Sequence, residues 1–291
     1  MYNDMMFEGN LFAIMPERIE HIIALRKTVK ITMTEQEVQD AMNRQSTKFK
    51  DIKGDVAVIP VHGFISHKAS IYSALGLESS SEQIAKWVEQ AANDPSIGAI
   101  VLDVDSPGGS ASGLSTTTEK IKSMRGKKPI IAVSNTLMGS AAYFLASASD
   151  EIVADPDAET GSIGTLAFHF DISKMLDDAG IKVTKFASSK FKGEGFPYEP
   201  LSEEAKEHFQ EMVDSYSEVF HSAVAANRGK SISDIKQNFG QGRTLRASKA
   251  KEVGMIDRIG SLESVINRLL PKTNKSKLAA TVSLLKMQST I

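Results

Sequence analysis

Two stretches decide the fold: IGAIVLDVDSPGGSASG, residues 97–113, and KPIIAVSNTLMGSAAYFLASASDEIVAD, residues 128–155. Each starts with an apolar, β-branched run that lacks polar alternation, as a strand buried on both faces requires. Each run then breaks into a Gly- and Ser-rich turn and continues as a helical segment. Upstream, VAVIPVHGFI (56–65) is a strand of the same kind, and SEQIAKWVEQAAND (81–94) is an amphipathic helix that stops at Asn93-Asp94-Pro95. EIVAD (151–155) reads as a fourth short strand, with IGTLAFHFD (163–171) and KVTKFA (182–187) as later ones. Strands alternating with helices of about 10–15 residues imply repeated βαβ units, hence an α/β fold with a mainly parallel sheet flanked by helices.

Outside this region the chain reads as helical. Residues 1–50 form an N-terminal helical extension: Pro16 opens PERIEHIIALRK, with Ile19, Ile22, Ile23 and Leu25 on one face. Thr34 and Glu37 have the spacing of a capping box. Ser46–Gly54 is polar and lysine-rich, a linker into a main domain spanning 51–271. Beyond Pro200, Ser202 caps a helix whose apolar residues from Phe209 to Val224 recur every three or four positions, and Gly229 closes it. SISDIKQNF, RASKAKEVG and SLESVINRLL are shorter helices, and 272–291 is a polar, basic tail expected to be loosely ordered.

Composition narrows the function classes. A net charge of −2 provides no global field towards nucleic acid or an anionic membrane. The 291 residues include no cysteine, which excludes disulfides, thiol nucleophiles and cysteine-ligated metals and fits a reducing, cytoplasmic compartment. The N-terminus lacks the basic-then-apolar pattern of a signal peptide. The longest apolar stretch, Pro129–Ser149, contains Ser134, Asn135, Thr136, Gly139 and Ser140, which suits a buried strand–turn–helix better than a membrane span.

Chemistry concentrates at the two Gly-rich strand ends, Asp105-Ser-Pro-Gly-Gly109 and Met138-Gly-Ser-Ala-Ala142. In open α/β folds functional groups gather beyond the carboxyl ends of the strands. Ser140 falls between a strand and an Ala-rich helix, where free amides and the helix dipole favour developing negative charge. A plain N-cap is the commoner use of a serine so placed. Gly108 and Gly109 can turn backbone N–H groups on one point, as an oxyanion hole needs, although SPGG also suits an ordinary β→α connection. A phosphate loop is disfavoured because neither GxxxxGK[ST] nor GxGxxG is present. The base is open. His62, His67 and His169 lie in no triad motif, the G-x-S-x-G elbow fails at Met138 and Ala142, and a lysine would need desolvation to act.

Motif order then brings a resemblance. VIPVHGFI, VLDVDSPGG, GSAAYFLASASDEIVADPDAETGSIGT, FKGEGFPYEPLSEEAK and GRTLRASKAKEVGMIDRIG follow one another between about Val56 and Leu270. In this the chain resembles the signal peptide peptidase A family of Ser–Lys serine proteases, with the Clp/crotonase-like fold. The resemblance implies Ser140 as nucleophile, Lys192 as general base and Ser162 as the residue that holds the lysine. It implies Gly109, with Gly108, and Ala141 as oxyanion donors, and no cofactor or metal. Lys190 is the rival base; Lys192 is preferred for its place before Pro200-Leu-Ser-Glu-Glu204. The opening GNLFAIMPERI and the stretch from Lys192 to Ser202 look most like the phage prohead (capsid maturation) branch. The substrates would then be scaffold, portal or capsid proteins, in the host cytoplasm or prohead interior, and the enzyme a homo-oligomer. A soluble bacterial signal-peptide-remnant peptidase, a catalytically silent capsid-assembly scaffold and a crotonase-type enzyme are the competing readings.

Overall fold

The computed structural model describes residues 11–19, the positions 24, 34, 36, 37 and 40, and residues 51–270. The remainder of the expected N-terminal extension and the 272–291 tail lie outside the described residues. Thr34 and Glu37 do form the expected reciprocal pair: Glu37 N–H donates to Thr34 Oγ1 (3.3 Å), and Thr34 N–H donates to Glu37 Oε2 (2.8 Å).

In chain order the elements are β1 (Phe12–Ile14), a 3-10 turn (Pro16–Arg18), β2 (Asp51–Lys53), β3 (Val56–Ser66), α1 (Ile71–Ala74), β4 (Glu78–Ser80), α2 (Ser81–Asn93), β5 (Ala99–Ser110), α3 (Leu114–Ser123), β6 (Ile130–Gly139), α4 (Ala141–Ser147), β7 (Glu151–Ala154), β8 (Glu159–Gly161), α5 (Ser173–Asp178), α6 (Glu203–Arg228), α7 (Ile232–Asn238), β9 (Thr244–Arg246), α8 (Ala247–Glu252), β10 (Arg258–Ile259) and α9 (Leu262–Leu269). The central order is β10-β7-β6-β5-β3-β2. All of these pairs are parallel except β2–β3; β1 joins β5 and β9 joins β8 antiparallel. The α/β class with a mainly parallel sheet flanked by helices is the one expected.

The apolar strand runs have a simple cause. Ile59, Ile100, Leu102 and Ile130 face a large core shared with α2, α3, α4 and α6, whereas Val58, Val101, Ile131 and Val153 face a smaller one closed by α9. Over Val56–Ile59, Ala99–Leu102 and Ile130–Val133 neither face of the central strands meets water, so neither can be polar there. α6 begins where Ser202 Oγ accepts the Ala205 N–H (3.1 Å) and ends at Gly229 with φ 63°.

Three expectations are corrected. Residues 51–53, expected in a linker, form β2 and pair with Val56–Val58. Residues 163–171 form no strand beyond a single bridge between Leu166 and Phe12, and 182–187 are irregular. Alternating apolar residues become a strand only beside a partner edge. Among the described residues none reaches 182–187, where Phe186 is 92% exposed. Finally, residues 12–14 are β1 rather than part of a helical lead-in.

Candidate active site

β5 and β6 end side by side, and their ladder slips between Val104 and Ser106. The slip lets β5 continue through Pro107-Gly108-Gly109 alongside β3 and β1. Gly109 pairs with Ile65, and a Cβ at this position would lie 1.9 Å from the Ile65 carbonyl oxygen, so only glycine fits. Gly108 adopts φ 103°, open to glycine and strained for other residues. Its N–H donates to Ser106 Oγ (3.2 Å), which in turn donates to Gly63 O (2.6 Å). The Gly108 amide is therefore engaged within its own turn, whereas of the other expected donors Gly109 faces Ala13 of β1 and Ala141 opens α4 beside Ser140.

Ser140 joins β6 to α4 at φ 51°, ψ −114°. Its conformation is fixed from both sides: Ser140 N–H donates to Gly161 O (2.7 Å) and Ser140 O accepts the Phe144 N–H (2.9 Å). The hydroxyl lies 3.5 Å from Gly164 O, and the residue is wholly buried. Positive φ in a residue other than glycine is uncommon and marks a conformation held by its surroundings. Among the described residues it occurs at Ser140, Ser162 and Gln241, two of which are expected site residues. Ser162 follows directly on Gly161, which pairs with Gly139, and its N–H donates to Arg243 O (3.0 Å). Gly108, Gly109, Ser140, Ala141 and Ser162 thus converge on one end of the sheet.

Lys192 does not join them. It is exposed, in an irregular segment between α5 and α6, and among the described residues its amine has no hydrogen-bond or ion-pair partner. Lys190, the rival, is paired with Glu204 (2.8 Å) and lies 4.6 Å from the centroid of the Phe191 ring. The histidines are engaged elsewhere: His67 with Ser81 (3.3 Å) and His169 with Phe196 O (3.2 Å). His62 Nε2–H donates to Asp103 Oδ2 (3.1 Å), and Asp103 also accepts from Asn135 (2.7 Å). Among the described residues no group of three or more His, Asp or Glu is arranged to hold a metal, and no helix is long and apolar enough to cross a membrane.

The hydrogen bond to Asp103 raises the His62 pKa above its ordinary 6.5, burial opposes this, and Asp105 adds to it. The stability linked to this pair is therefore complete below about pH 6.5 and disappears as pH climbs through the raised folded value. An NMR titration of the His62 ring should show that elevated midpoint, and Asp103→Ala should bring it down. An unchanged midpoint in the variant would assign the shift to another cause.

A serine held at positive φ between a parallel strand and a buried helix, facing a glycine turn, has the geometry of a fixed nucleophile beside backbone donors. Residues 122–275 match the model of peptidase family S49, and the chain belongs to that family. It is 30% identical over 217 residues to the capsid assembly protease C of Escherichia phage lambda, a match covering 74% of this chain and 48% of that protein. It is 31% identical over 186 residues to a putative protease of Methanocaldococcus jannaschii, covering 63% and 58% respectively. The chain thus spans roughly half the length of these curated relatives. A solved complex of the 1510-N membrane-bound stomatin-specific protease with a substrate peptide aligns at TM-score 0.47 and 16% identity, over 74% of this chain and 80% of that one.

Proposed function

We propose that the chain is a serine endopeptidase in which Ser140 attacks the scissile carbonyl and Lys192 is the base. The observation that supports this most strongly is the strained, fixed Ser140 at the head of α4, facing the Gly108–Gly109 turn. The neutral lysine amine takes the Ser140 proton as the serine oxygen adds to the carbonyl carbon, and the Gly109 and Ala141 amides stabilise the tetrahedral oxyanion, whose collapse breaks the C–N bond. The ammonium, held by Ser162, returns the proton to the leaving amine. Water, deprotonated in its turn by the lysine, then releases the acyl group.

A lysine serves as a base only when its neutral form is accessible, which desolvation promotes. Lys192 and the exposed apolar side chains around it, Val183, Phe186, Phe191 and Phe196, belong to a segment that one chain leaves uncovered. In the proposed enzyme a second copy of the chain covers this segment and brings an amine to Ser140, within one subunit or across the interface. The likeness to a phage capsid assembly protease supports capsid maturation as the setting, with scaffold, portal or coat proteins as substrates.

The dyad is tested by incubating wild type, Lys192→Ala and Lys190→Ala with casein and a candidate coat protein. Lys192→Ala should lose about 10²–10⁴-fold in rate and Lys190→Ala should retain most of it. The wild-type rate should be higher at alkaline than at acid pH, as a reaction that uses a neutral amine as base requires. Equal loss in both variants, or a rate that peaks in acid, would remove Lys192 from the role.

A further inference from the structure

The N-terminal strand occupies an unusual place for a segment at the start of a fold. Leu11, Phe12, Ala13, Ile14 and Met15 are all buried. β1 is bonded on both edges. On one side it runs antiparallel to the glycine turn, with Phe12 opposite Ser110, Ala13 opposite Gly109 and Ile14 opposite Gly108. On the other side Phe12 N–H donates to Leu166 O and Phe12 O accepts the Leu166 N–H, both at 2.9 Å. The strand therefore lies between the limb carrying the proposed oxyanion donors and the limb that continues from Ser162 and Gly164.

Its register is informative. Met15 N–H donates to Pro107 O and Leu11 O accepts the Ala111 N–H. These bonds alternate along an antiparallel ladder, so Ala13 is the residue that turns its amide and carbonyl on Gly109. Ala13 O, Ser140 Cβ and Ala141 N lie 2.2, 2.9 and 3.0 Å from the single point where a Gly108 side chain would begin. A backbone carbonyl, the proposed nucleophile and a proposed oxyanion donor thus crowd one spot. Met15 covers Gly139, with Sδ 2.8 Å from that residue's own Cβ position. Side chains alternate as in a bound peptide: Phe12 and Ile14 enter a pocket with Phe64, Leu166 and Phe168, while Leu11 and Ala13 join the main core. Extended peptides that add a strand to a protein edge take affinity from main-chain bonds and specificity from such alternate pockets.

We infer that Leu11–Met15 is a pseudosubstrate strap. It fills the groove in which a peptide would lie against Ser140, with Ala13 at the position whose carbonyl would be attacked, and a peptide from another molecule must displace it. This rests on the proteolytic reading of Ser140, and the test separates the two.

The chain has no cysteine, so a single engineered disulfide can lock the strap. Phe12 directs its own bonds to Leu166, which makes Phe12–Ser110 a non-hydrogen-bonded antiparallel pair. Such pairs have Cα atoms about 4.5 Å apart, within the range of about 4.4–6.8 Å that a disulfide spans. Phe12→Cys/Ser110→Cys is to be made in wild type and in Ser140→Ala. The first readout, on Ser140→Ala, is binding of a fluorescent peptide with the sequence of residues 8–16, EGNLFAIMP. The reduced form should bind it, and the oxidised form, its disulfide confirmed by mass, at least 10-fold more weakly. The second readout, on the catalytic version, is hydrolysis of an added peptide, which oxidation should suppress by a similar factor. Equal binding by the two forms, or binding by neither, overturns the strap. Redox-gated binding without hydrolysis in any form leaves the strap standing and overturns the protease reading. If the pair fails to form, Phe12→Ala in the Ser140→Ala chain replaces it: checked for folding by circular dichroism, it should bind the peptide several-fold more tightly than its parent, and unchanged or weaker binding overturns the strap.

Discussion

Ser140→Ala is expected to abolish hydrolysis of every peptide substrate, a fall of at least about 10⁴-fold, while leaving the fold intact. Both halves of that expectation come from the geometry. The hydroxyl contributes little to stability, since its hydrogen bond to Gly164 O is long at 3.5 Å. The positive-φ backbone conformation is fixed by bonds from Ser140 N–H and to Ser140 O, which alanine retains. Alanine also has the same Cβ and so adds no new strain. The change in unfolding free energy should stay within about 1 kcal/mol. Urea titration alongside a casein assay reads both quantities. A variant that cleaves as fast as wild type would remove Ser140 from the chemistry.

The largest stability effect is expected for Phe220→Ala. Phe220 lies in α6, is fully buried, and stacks on Phe144 of α4 with centroids 4.5 Å apart and planes at 13°. Removing it deletes a large apolar volume between the longest helix and the helix that carries Ser140 at its head. Truncations of this kind cost about 3–5 kcal/mol, the surroundings relaxing only in part. For a domain of this size that corresponds to a melting temperature lower by on the order of 10 °C. Phe220→Leu should lose far less, because most of the volume remains. A loss below about 1 kcal/mol for Phe220→Ala would mean that α6 does not buttress α4.

What the sequence revealed followed how locally each feature is encoded. β3, β5 and β6 were legible because burial on two faces leaves only apolar residues along their first halves, Val56–Ile59, Ala99–Leu102 and Ile130–Val133. α6 was legible from its ends, with Ser202 and Gly229 in the expected roles. Ser140 could be placed at a strand–helix junction from the change of pattern around it, but its backbone strain depends on Gly161 and could not be read locally. β1 was missed for a related reason. The run Leu11–Met15 ends at Pro16, itself a good helix start, and the strand's partners at Gly108–Ser110 and Leu166 are distant in sequence. Its five consecutive apolar residues were the available signal. In 182–187 the β-branched and aromatic residues Val183, Thr184 and Phe186 are present, but no edge among the described residues receives them. Lys192 had no local signal at all: as an exposed lysine in a loop it is distinguished only by its motif.

The reciprocal bonds between Phe12 and Leu166 have a consequence for selection among substrates. A strap on the same polypeptide competes at an effective concentration in the millimolar range, whatever the dilution of the enzyme. Isolated peptides of modest affinity then lose the competition, whereas segments packed at high local density around the enzyme win it. On the proposed reading the groove measures crowding: it stays shut on a dispersed chain and opens where its targets are assembled about it.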